Sequence, residues 1–286
     1  LNNIPMPFFS VLISVYKTRH LSEALDCLEK QSYKNFETVL VDDRSPEEVG
    51  VHLEKHWKLS IRYYKNEENL GSLDPSSSWN KGLEYCEGDI VCLMGDDDLI
   101  DPNYFEIMAN LIVSNPDSAI YRSRLRIVDD QSRVLVFGPG LPNHETWDEF
   151  LYQRNTNKRP HSTSEFCIRR KTLEDLGGWK SQPMAIGSDD LTYLELSLEK
   201  GIVSTNDTWA SWRRHRKQIS TSRKHDHRRL IALSKLGESE RCFIIKNEPH
   251  FIPKELLLAD LPGQKAGFVQ KVRSGLVSFL GKIGLE

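Results

Sequence analysis

The sequence predicts an α/β protein: a mostly parallel central sheet flanked by helices, with a helical C-terminal tail. Three observations predict it. Short β-branched runs alternate with segments of helical periodicity as far as Pro116. Acidic clusters stand directly after two of those runs. A late stretch carries apolar residues at helical spacing among lysines and an arginine. Strands alternating with helices imply parallel pairing with both faces covered. Right-handed crossovers then collect the strand C-terminal ends on one edge, where such sheets bind ligands.

The elements follow in order. Val11-Leu12-Ile13-Ser14-Val15 reads as a buried strand, and Leu21, Leu25 and Leu28 mark one face of a helix. Thr38-Val39-Leu40-Val41 is a second strand, ending in Asp42-Asp43, and Pro46 stands where a helix would begin. Ile61-Arg62-Tyr63-Tyr64 is a third, followed by a loop through Asn69 and Gly71. Ser76 to Cys86 reads as a helix broken by Gly88. Ile90 to Met94 is a fourth strand running into Asp96-Asp97-Asp98, and Phe105, Met108, Leu111 and Ile112 mark the next helix.

The second half is less regular. Gly138-Pro139-Gly140-Leu141-Pro142 predicts a loop, and Thr146 to Arg154 a helix. Phe166-Cys167-Ile168 is a short strand, Leu176-Gly177-Gly178 ends a short helix, and Asp189-Asp190 opens another carrying Leu191, Leu194 and Leu198. Further on, Phe268, Val272, Leu276, Phe279, Leu280 and Ile283 describe a basic amphipathic helix.

Composition narrows the function classes. Of 286 residues, 38% are hydrophobic and 28% charged, so a packed core is available and disorder is not indicated. A net charge of -3 offers no general attraction to polyanions, and no nucleic-acid motif accompanies the basic segment Trp212 to Lys217. Five scattered cysteines, none in a CxxC pair, argue against a zinc knuckle and fit a reducing compartment. No signal-peptide pattern is visible near the start. The apolar stretch Phe8 to Tyr16 falls far short of the roughly 20 residues of a membrane span. The expectation is a cytoplasmic protein.

Three consecutive aspartates after an apolar strand repel one another unless a cation or solvent relieves them. Their oxygens suit Mg²⁺ or Mn²⁺, which commonly share a shell with substrate phosphates; a solvated, helix-capping turn is the competing reading. Asp42-Asp43 could bind a base or ribose, or form an Asx turn. Asp189-Asp190 could supply a general base or merely suit a helix N-terminus. The basic segment could clamp a diphosphate or form a solvated face.

In order and spacing these residues resemble the family 2 glycosyltransferases. The resemblance runs from Ser10-Val11-Leu12-Ile13-Ser14-Val15-Tyr16 through Leu28-Glu29-Lys30-Gln31-Ser32-Tyr33 to Val39-Leu40-Val41-Asp42-Asp43-Arg44-Ser45. It continues through Asn80-Lys81-Gly82, Glu87-Gly88-Asp89-Ile90-Val91 and Asp96-Asp97-Asp98. Phe166 to Arg170, Leu176-Gly177-Gly178-Trp179, Asp189-Asp190 and Arg213-Arg214-His215 with Ser220 complete it, over roughly residues 8 to 222.

That resemblance implies a GT-A type fold and an inverting transfer from a nucleotide-diphosphate sugar, UDP being the commonest nucleotide. It implies that Asp43 contacts the base, that Ser14, Tyr16, Asn80, Lys81 and Arg214 line the donor, and that Asp96 lies near the ribose and donor sugar. Asp97, with Asp98 and His215, would hold the divalent Mn²⁺ or Mg²⁺. Asp190, or its neighbour Asp189, would be the catalytic base, with His161, Ser162 and Trp179 in the acceptor region. Three positions depart from the family pattern: Gly95 where an Asp is frequent, Asp189 where Glu is usual, and Trp79 where an Arg often stands.

The implied organisation is a catalytic domain over 1–235, with a donor half to about 125 and an acceptor half from 126, then a helical extension over 236–286. Expected partners are a nucleotide-sugar donor and a glycan or lipid-linked acceptor of cell-surface polysaccharide synthesis, with no nucleic acid. The basic helix suggests a peripheral contact at the inner face of the membrane. Two other classes compete. A sugar nucleotidyltransferase would need a glycine-rich phosphate loop after the first strand, and Tyr16-Lys17-Thr18-Arg19 has no glycine. A non-catalytic sugar-nucleotide or polysaccharide-binding module would release no nucleotide.

Overall fold

The computed structural model describes residues 5–156, 158–214 and 226–247. The chain divides into two compact units, Leu1–Lys224 and His225–Glu286. In the first unit, strand β1 (Phe9–Val15) forms the centre of a parallel sheet because six of its seven residues are buried. It pairs with β2 (Phe36–Asp42) on one side and β4 (Ile90–Leu93) on the other, and β3 (Ile61–Lys65) pairs with β2. Helix α1 (Leu21–Glu29) buries Leu21, Ala24, Leu25 and Leu28 at helical spacing. Helix α3 (Pro75–Leu83) starts on Pro75, with Asp74 accepting the Ser76 amide at 3.0 Å.

Two expected boundaries move. Helix α2 (Gly50–Lys55) begins after Pro46 rather than at it. Arg44 takes a left-handed φ of 60°, Asp42 accepts the Ser45 amide, and Ser45 Oγ accepts the Glu47 amide, so a side-chain-bonded turn occupies the intervening residues. Helix α3 closes at Leu83 instead of running to Cys86, through tight bonds from Tyr85 to Gly82 and from Cys86 to Leu83.

Beyond α4 (Tyr104–Ser114) the sheet becomes mixed. Strand β9 (Phe166–Arg169) enters antiparallel to β4 and to β6 (Ile120–Val128), while β10 (Ile202–Arg213) runs parallel to β6. Short strands complete it: β5 (Leu99–Ile100) and β8 (His144–Glu145) on β10, and β7 (Val134–Phe137) on β6. The sheet order is β3-β2-β1-β4-β9-β6-β10-β5. Helices α5 (Trp147–Asn155), α6 (Arg170–Asp175) and α7 (Ser188–Ser197) lie where the sequence places them.

Strands β6 and β10 carry no hydrophobic alternation to announce them. Arg122 and Ser123 on β6, and Ser204, Thr208, Ser211 and Arg213 on β10, are all buried. Arg122, Thr208, Ser211 and Arg213 bind partners from other elements rather than solvent, so the period-2 signal is weakened.

In the second unit, α8 (Asp226–Asn247) buries Ala232, Leu236, Phe243 and Ile244. The expected boundary at 235 falls within this helix. Among the described residues no helix is long and apolar enough to cross a membrane. The amphipathic segment from Phe268 to Ile283, Ser220 and His215 lie outside the described residues.

Candidate active site

The end of β4 delivers Gly95-Asp96-Asp97-Asp98 to the C-terminal edge of the parallel strands, and the end of β2 delivers Asp42 and Asp43 to the same edge. The topology thus joins two acidic clusters far apart in sequence. The three aspartates of the turn have different surroundings. Asp98 is 3% exposed. Its Oδ1 accepts the Arg213 amide at 2.9 Å, and its Oδ2 accepts Ser164 Oγ at 2.5 Å and Ser162 Oγ at 3.2 Å. With both oxygens occupied by the protein, Asp98 ties the turn to β10 and to the segment before β9. Both oxygens of this expected metal ligand thus accept hydrogen bonds from the protein. Burial, then Asp97, push its carboxyl up to about 7 against those donors.

Asp96 and Asp97 are half-buried. Burial first, then the charge of Asp97, push the Asp96 carboxyl up to about 8, opposed by the Tyr16 and Lys17 backbone amides. A Cβ on Gly95 would come within 3.1 Å of Asp98 Cγ and 3.3 Å of Asp97 Oδ1. The position where the family pattern leads one to expect an Asp therefore leaves little space for a side chain. Among the described residues no group of three or more His, Cys, Asp or Glu could hold a metal ion. The two crowded carboxylates Asp96 and Asp97 nonetheless fit a hard divalent cation whose shell is completed by phosphate oxygens.

Several expected donor contacts hold the fold together. Asp43 is 3% exposed and accepts from Asn66 Nδ2 at 2.8 Å, the Leu70 amide at 3.0 Å and the Gly71 amide at 2.8 Å. Through these bonds it shapes the loop after β3. Asn80 brackets Trp179, accepting its amide at 2.8 Å and donating to its carbonyl at 2.9 Å. A side chain on Gly178, which has φ +86°, would strike Asn80 Oδ1. Lys81 sits in the last turn of α3 and pairs with the exposed Glu84 at 2.6 Å. Ser14 Oγ shares a hydrogen bond with Ser78 at 2.8 Å, and Tyr16 is 42% exposed just beyond β1. Arg214 is exposed, with its guanidinium 5.9 Å from the centre of the Trp212 ring.

Arg213 does not belong to a solvated clamp. It is fully buried, and donates from Nε to the Asp97 carbonyl at 2.7 Å and from Nη2 to Glu23 at 2.9 Å.

The acceptor-side residues converge. His161 Nε2 lies 2.8 Å from Asp190 and 3.9 Å from Asp189, while the next residue, Ser162, donates to Asp98. One dipeptide therefore touches both the acidic turn and the carboxylate pair of α7. Arg154 on α5, which sequence reasoning did not single out, lies 2.6 Å from Asp190 Oδ2. Burial pushes the Asp190 carboxyl up, but Arg154 and His161 outweigh it and hold the group well below the ordinary carboxylate range. Burial and then Asp190 push Asp189 up to about 6. Sequence reasoning also missed Arg122 and Glu165, a buried pair at 2.7 Å. Trp179 is buried, with its indole nitrogen lacking a hydrogen-bond partner among the described residues.

A family model described as Glycosyl transferase family 2 matches residues 10–177, more than half of the chain. The amylovoran biosynthesis glycosyltransferase AmsB of Erwinia amylovora is 31% identical over 156 residues, covering 50% of each chain. The putative glycosyltransferase EpsH of Bacillus subtilis (strain 168) is 28% identical over 118 residues, 40% of this chain and 33% of that one. The chain thus spans about half the length, or less, of these curated relatives. The crystal structure of S. aureus TarS 1-349 in complex with UDP-GlcNAc matches with a TM-score of 0.64 at 22% identity, covering 89% of this chain and 68% of that one. At that identity the likeness speaks for the fold, a GT-A arrangement with a curled central sheet flanked by helices.

Proposed function

The chain belongs to glycosyl transferase family 2, and on that premise we propose that it is an inverting, metal-dependent glycosyltransferase moving a sugar from a UDP-type donor to a hydroxyl of a glycan or lipid-linked acceptor in cell-surface polysaccharide synthesis. The observation that carries the reading is the two-sided contact of His161 and Ser162. Through it, the acidic turn after β4 and the carboxylate pair of α7 flank one segment. Charge neutralisation and proton removal are the two requirements of the reaction, and they need separate groups at one site.

Asp96 and Asp97 would hold the divalent cation, Mn²⁺ or Mg²⁺. When bound, it offsets charge on the departing nucleoside diphosphate. Asp98 and Arg213 hold the turn in place for that task. Across the site, the Asp189–Asp190 pair takes the proton of the attacking hydroxyl, which approaches opposite the leaving group and inverts the anomeric carbon. The name of AmsB supports a polysaccharide product, and the UDP-GlcNAc bound to TarS supports a UDP donor. The protein works at the cytoplasmic face, with the basic stretch over 262–286 as its membrane contact.

The test is thermal unfolding with UDP, dTDP or GDP, each with and without Mn²⁺. A ligand at 100 times its Kd adds about 2.7 kcal/mol to stability. The expected result is a Mn²⁺-dependent shift with UDP that Asp97→Asn loses. A folded sample that no nucleotide stabilises would overturn the reading.

A further inference from the structure

We propose that strand β7 is a second membrane contact: its exposed apolar ribbon, flanked by arginines, seats the acidic edge of the sheet on an anionic phospholipid surface. The inference rests on the function proposed above only for the lipid-linked acceptor. The contact itself is a property of the folded chain.

Val134, Leu135, Val136 and Phe137 are 41%, 56%, 50% and 62% exposed. Among the described residues they are the one run of consecutive exposed large hydrophobic side chains. Apolar residues scattered singly over a surface need no explanation, but a contiguous run does. The run lies open because β7 pairs with β6 alone among the described residues. Its side chains leave both faces: Phe137 stands opposite Arg126 and Val136 opposite Ile127. A flat protein surface covers one such face, whereas the acyl boundary of a bilayer surrounds both. Strand addition by a second copy is disfavoured by the register slip between Ile127 and Val128, which leaves Leu135 as the extra residue of a bulge.

The charge about the strand is cationic although the whole chain carries -3. Arg133, directly before β7, has a side chain 74% exposed, and it pairs with Asp129. Arg19, 55% exposed, reaches the same turn through Asp130. The guanidinium groups of Arg124 and Arg214 lie on rings rather than on carboxylates, 3.9 Å from the centre of Trp209 and 5.9 Å from that of Trp212. The Phe137 ring meets the same Trp209 at 5.3 Å. Apolar side chains and indoles with arginines beside them suit the interface of an anionic bilayer, where the rings enter the acyl boundary and the guanidinium groups meet phosphates.

The turn joining β6 to β7 adjoins the acidic turn. Arg213 donates from Nη1 to the carbonyls of Asp129 and Asp130 at 3.1 and 3.3 Å, and from Nε to the Asp97 carbonyl at 2.7 Å. One buried side chain thus spans from the base of the ribbon to the residues that would hold the cation. Seating β7 on lipid brings that edge of the sheet to the surface on which a lipid-linked acceptor is presented. A short ribbon alone binds reversibly, so it acts together with the basic stretch over 262–286, as stable anchoring takes two signals.

The experiment follows hydrogen-deuterium exchange over residues 131–138 of the full chain in buffer, with phosphatidylcholine vesicles, and with vesicles of phosphatidylcholine mixed with phosphatidylglycerol. The expected result is exchange slowed on the anionic vesicles only. Partition of Leu135→Ser/Phe137→Ser onto those vesicles should fall by about tenfold or more, and that of Arg133→Glu, which keeps the apolar run, by about fivefold or more. All three side chains are exposed, so the urea midpoint and the thermal shift with UDP and Mn²⁺ should match wild type; that shift tests the reaction separately from the contact. Unchanged exchange on anionic vesicles overturns the proposal, and so does a double variant that partitions like wild type. Equal slowing on phosphatidylcholine alone takes the arginines out of the contact and overturns it as well. Exchange already slow in buffer would mean that a second copy or the chain's own tail covers the strand, which also overturns it; dependence on protein concentration tells these two apart. Should the double variant unfold, the exchange of wild type still decides.

Discussion

Asp98 and Arg213 hold each other from two directions: the Arg213 amide donates to Asp98 Oδ1 at 2.9 Å, and Arg213 Nε donates to the carbonyl of the adjacent Asp97 at 2.7 Å. The last residue of β10 is thereby joined to the turn after β4, across 115 residues of sequence. Three donors converge on Asp98, counting Ser162 and Ser164. Asp98→Ala should therefore cost about 2–4 kcal/mol, because it leaves the buried Ser164 hydroxyl and Arg213 amide without their acceptor. Urea unfolding measures it, and a variant as stable as wild type would show that the clasp holds nothing.

Asp190→Asn should lower kcat by about 10²–10⁴-fold, the usual loss when a general base is removed. Nucleotide binding should survive, since Asp190 lies on the acceptor side. Calorimetric titration with UDP and Mn²⁺ checks the second half. Undiminished turnover in this variant would remove Asp190 from the mechanism.

The pH dependence follows with a definite sign. Asp189 is raised to about 6 by burial and by Asp190, and the pair takes the hydroxyl's proton only while it holds none. Turnover should be flat above that value and fall as pH drops through it. A profile that stays flat to pH 4.5 would contradict the raised carboxyl. Asp190 has the opposite consequence for folding. Its folded-state proton affinity is depressed, so its stabilisation is present above the ordinary aspartate range and is lost as pH falls below it.

Asn80 makes two hydrogen bonds to the Trp179 backbone, and Gly178 is left-handed beneath them. Asn80→Ala should cost about 1–3 kcal/mol, and Gly178→Ala a comparable amount, because its Cβ would strike Asn80 Oδ1. Chemical denaturation of the two single variants and the double variant tests the shared origin. The double variant should lose less than the sum of the single losses. Strict additivity would separate the two sites.

Removing residues 262–286 should abolish co-sedimentation with anionic vesicles while leaving the UDP-induced thermal shift intact. Equal sedimentation of both forms would reject the membrane contact.

The donor-side fold was legible in the sequence because its signals are local. β1 and β4 are almost continuous apolar runs and β2 carries one over Val39-Leu40-Val41, as strands buried on both faces must, while the half-exposed β3 is marked by Ile61 and its two tyrosines. The helix after β1 repeats its leucines at helical spacing, and the aspartate clusters stop two strands abruptly. Strands β6 and β10 were not legible, since Arg122, Arg213 and a series of serines and threonines are buried within them. A buried arginine reads as a surface residue until its partners are known.

The sequence by itself determined the strand-helix alternation, the order of the motifs and therefore the family, and the edge on which the acidic clusters fall. All of these depend on residues close together in the chain. Only the tertiary structure decided which aspartate does what. Asp43 and Asp98, expected from the sequence as ligand contacts, also accept hydrogen bonds from Asn66, Leu70 and Gly71, and from Ser162, Ser164 and Arg213. Asp189 and Asp190 are adjacent and chemically identical, yet Arg154 places its cation against one of them. The physical reason is that a carboxylate's proton affinity and free valence are set by burial and by charges within a few ångströms, and those neighbours come from distant parts of the chain.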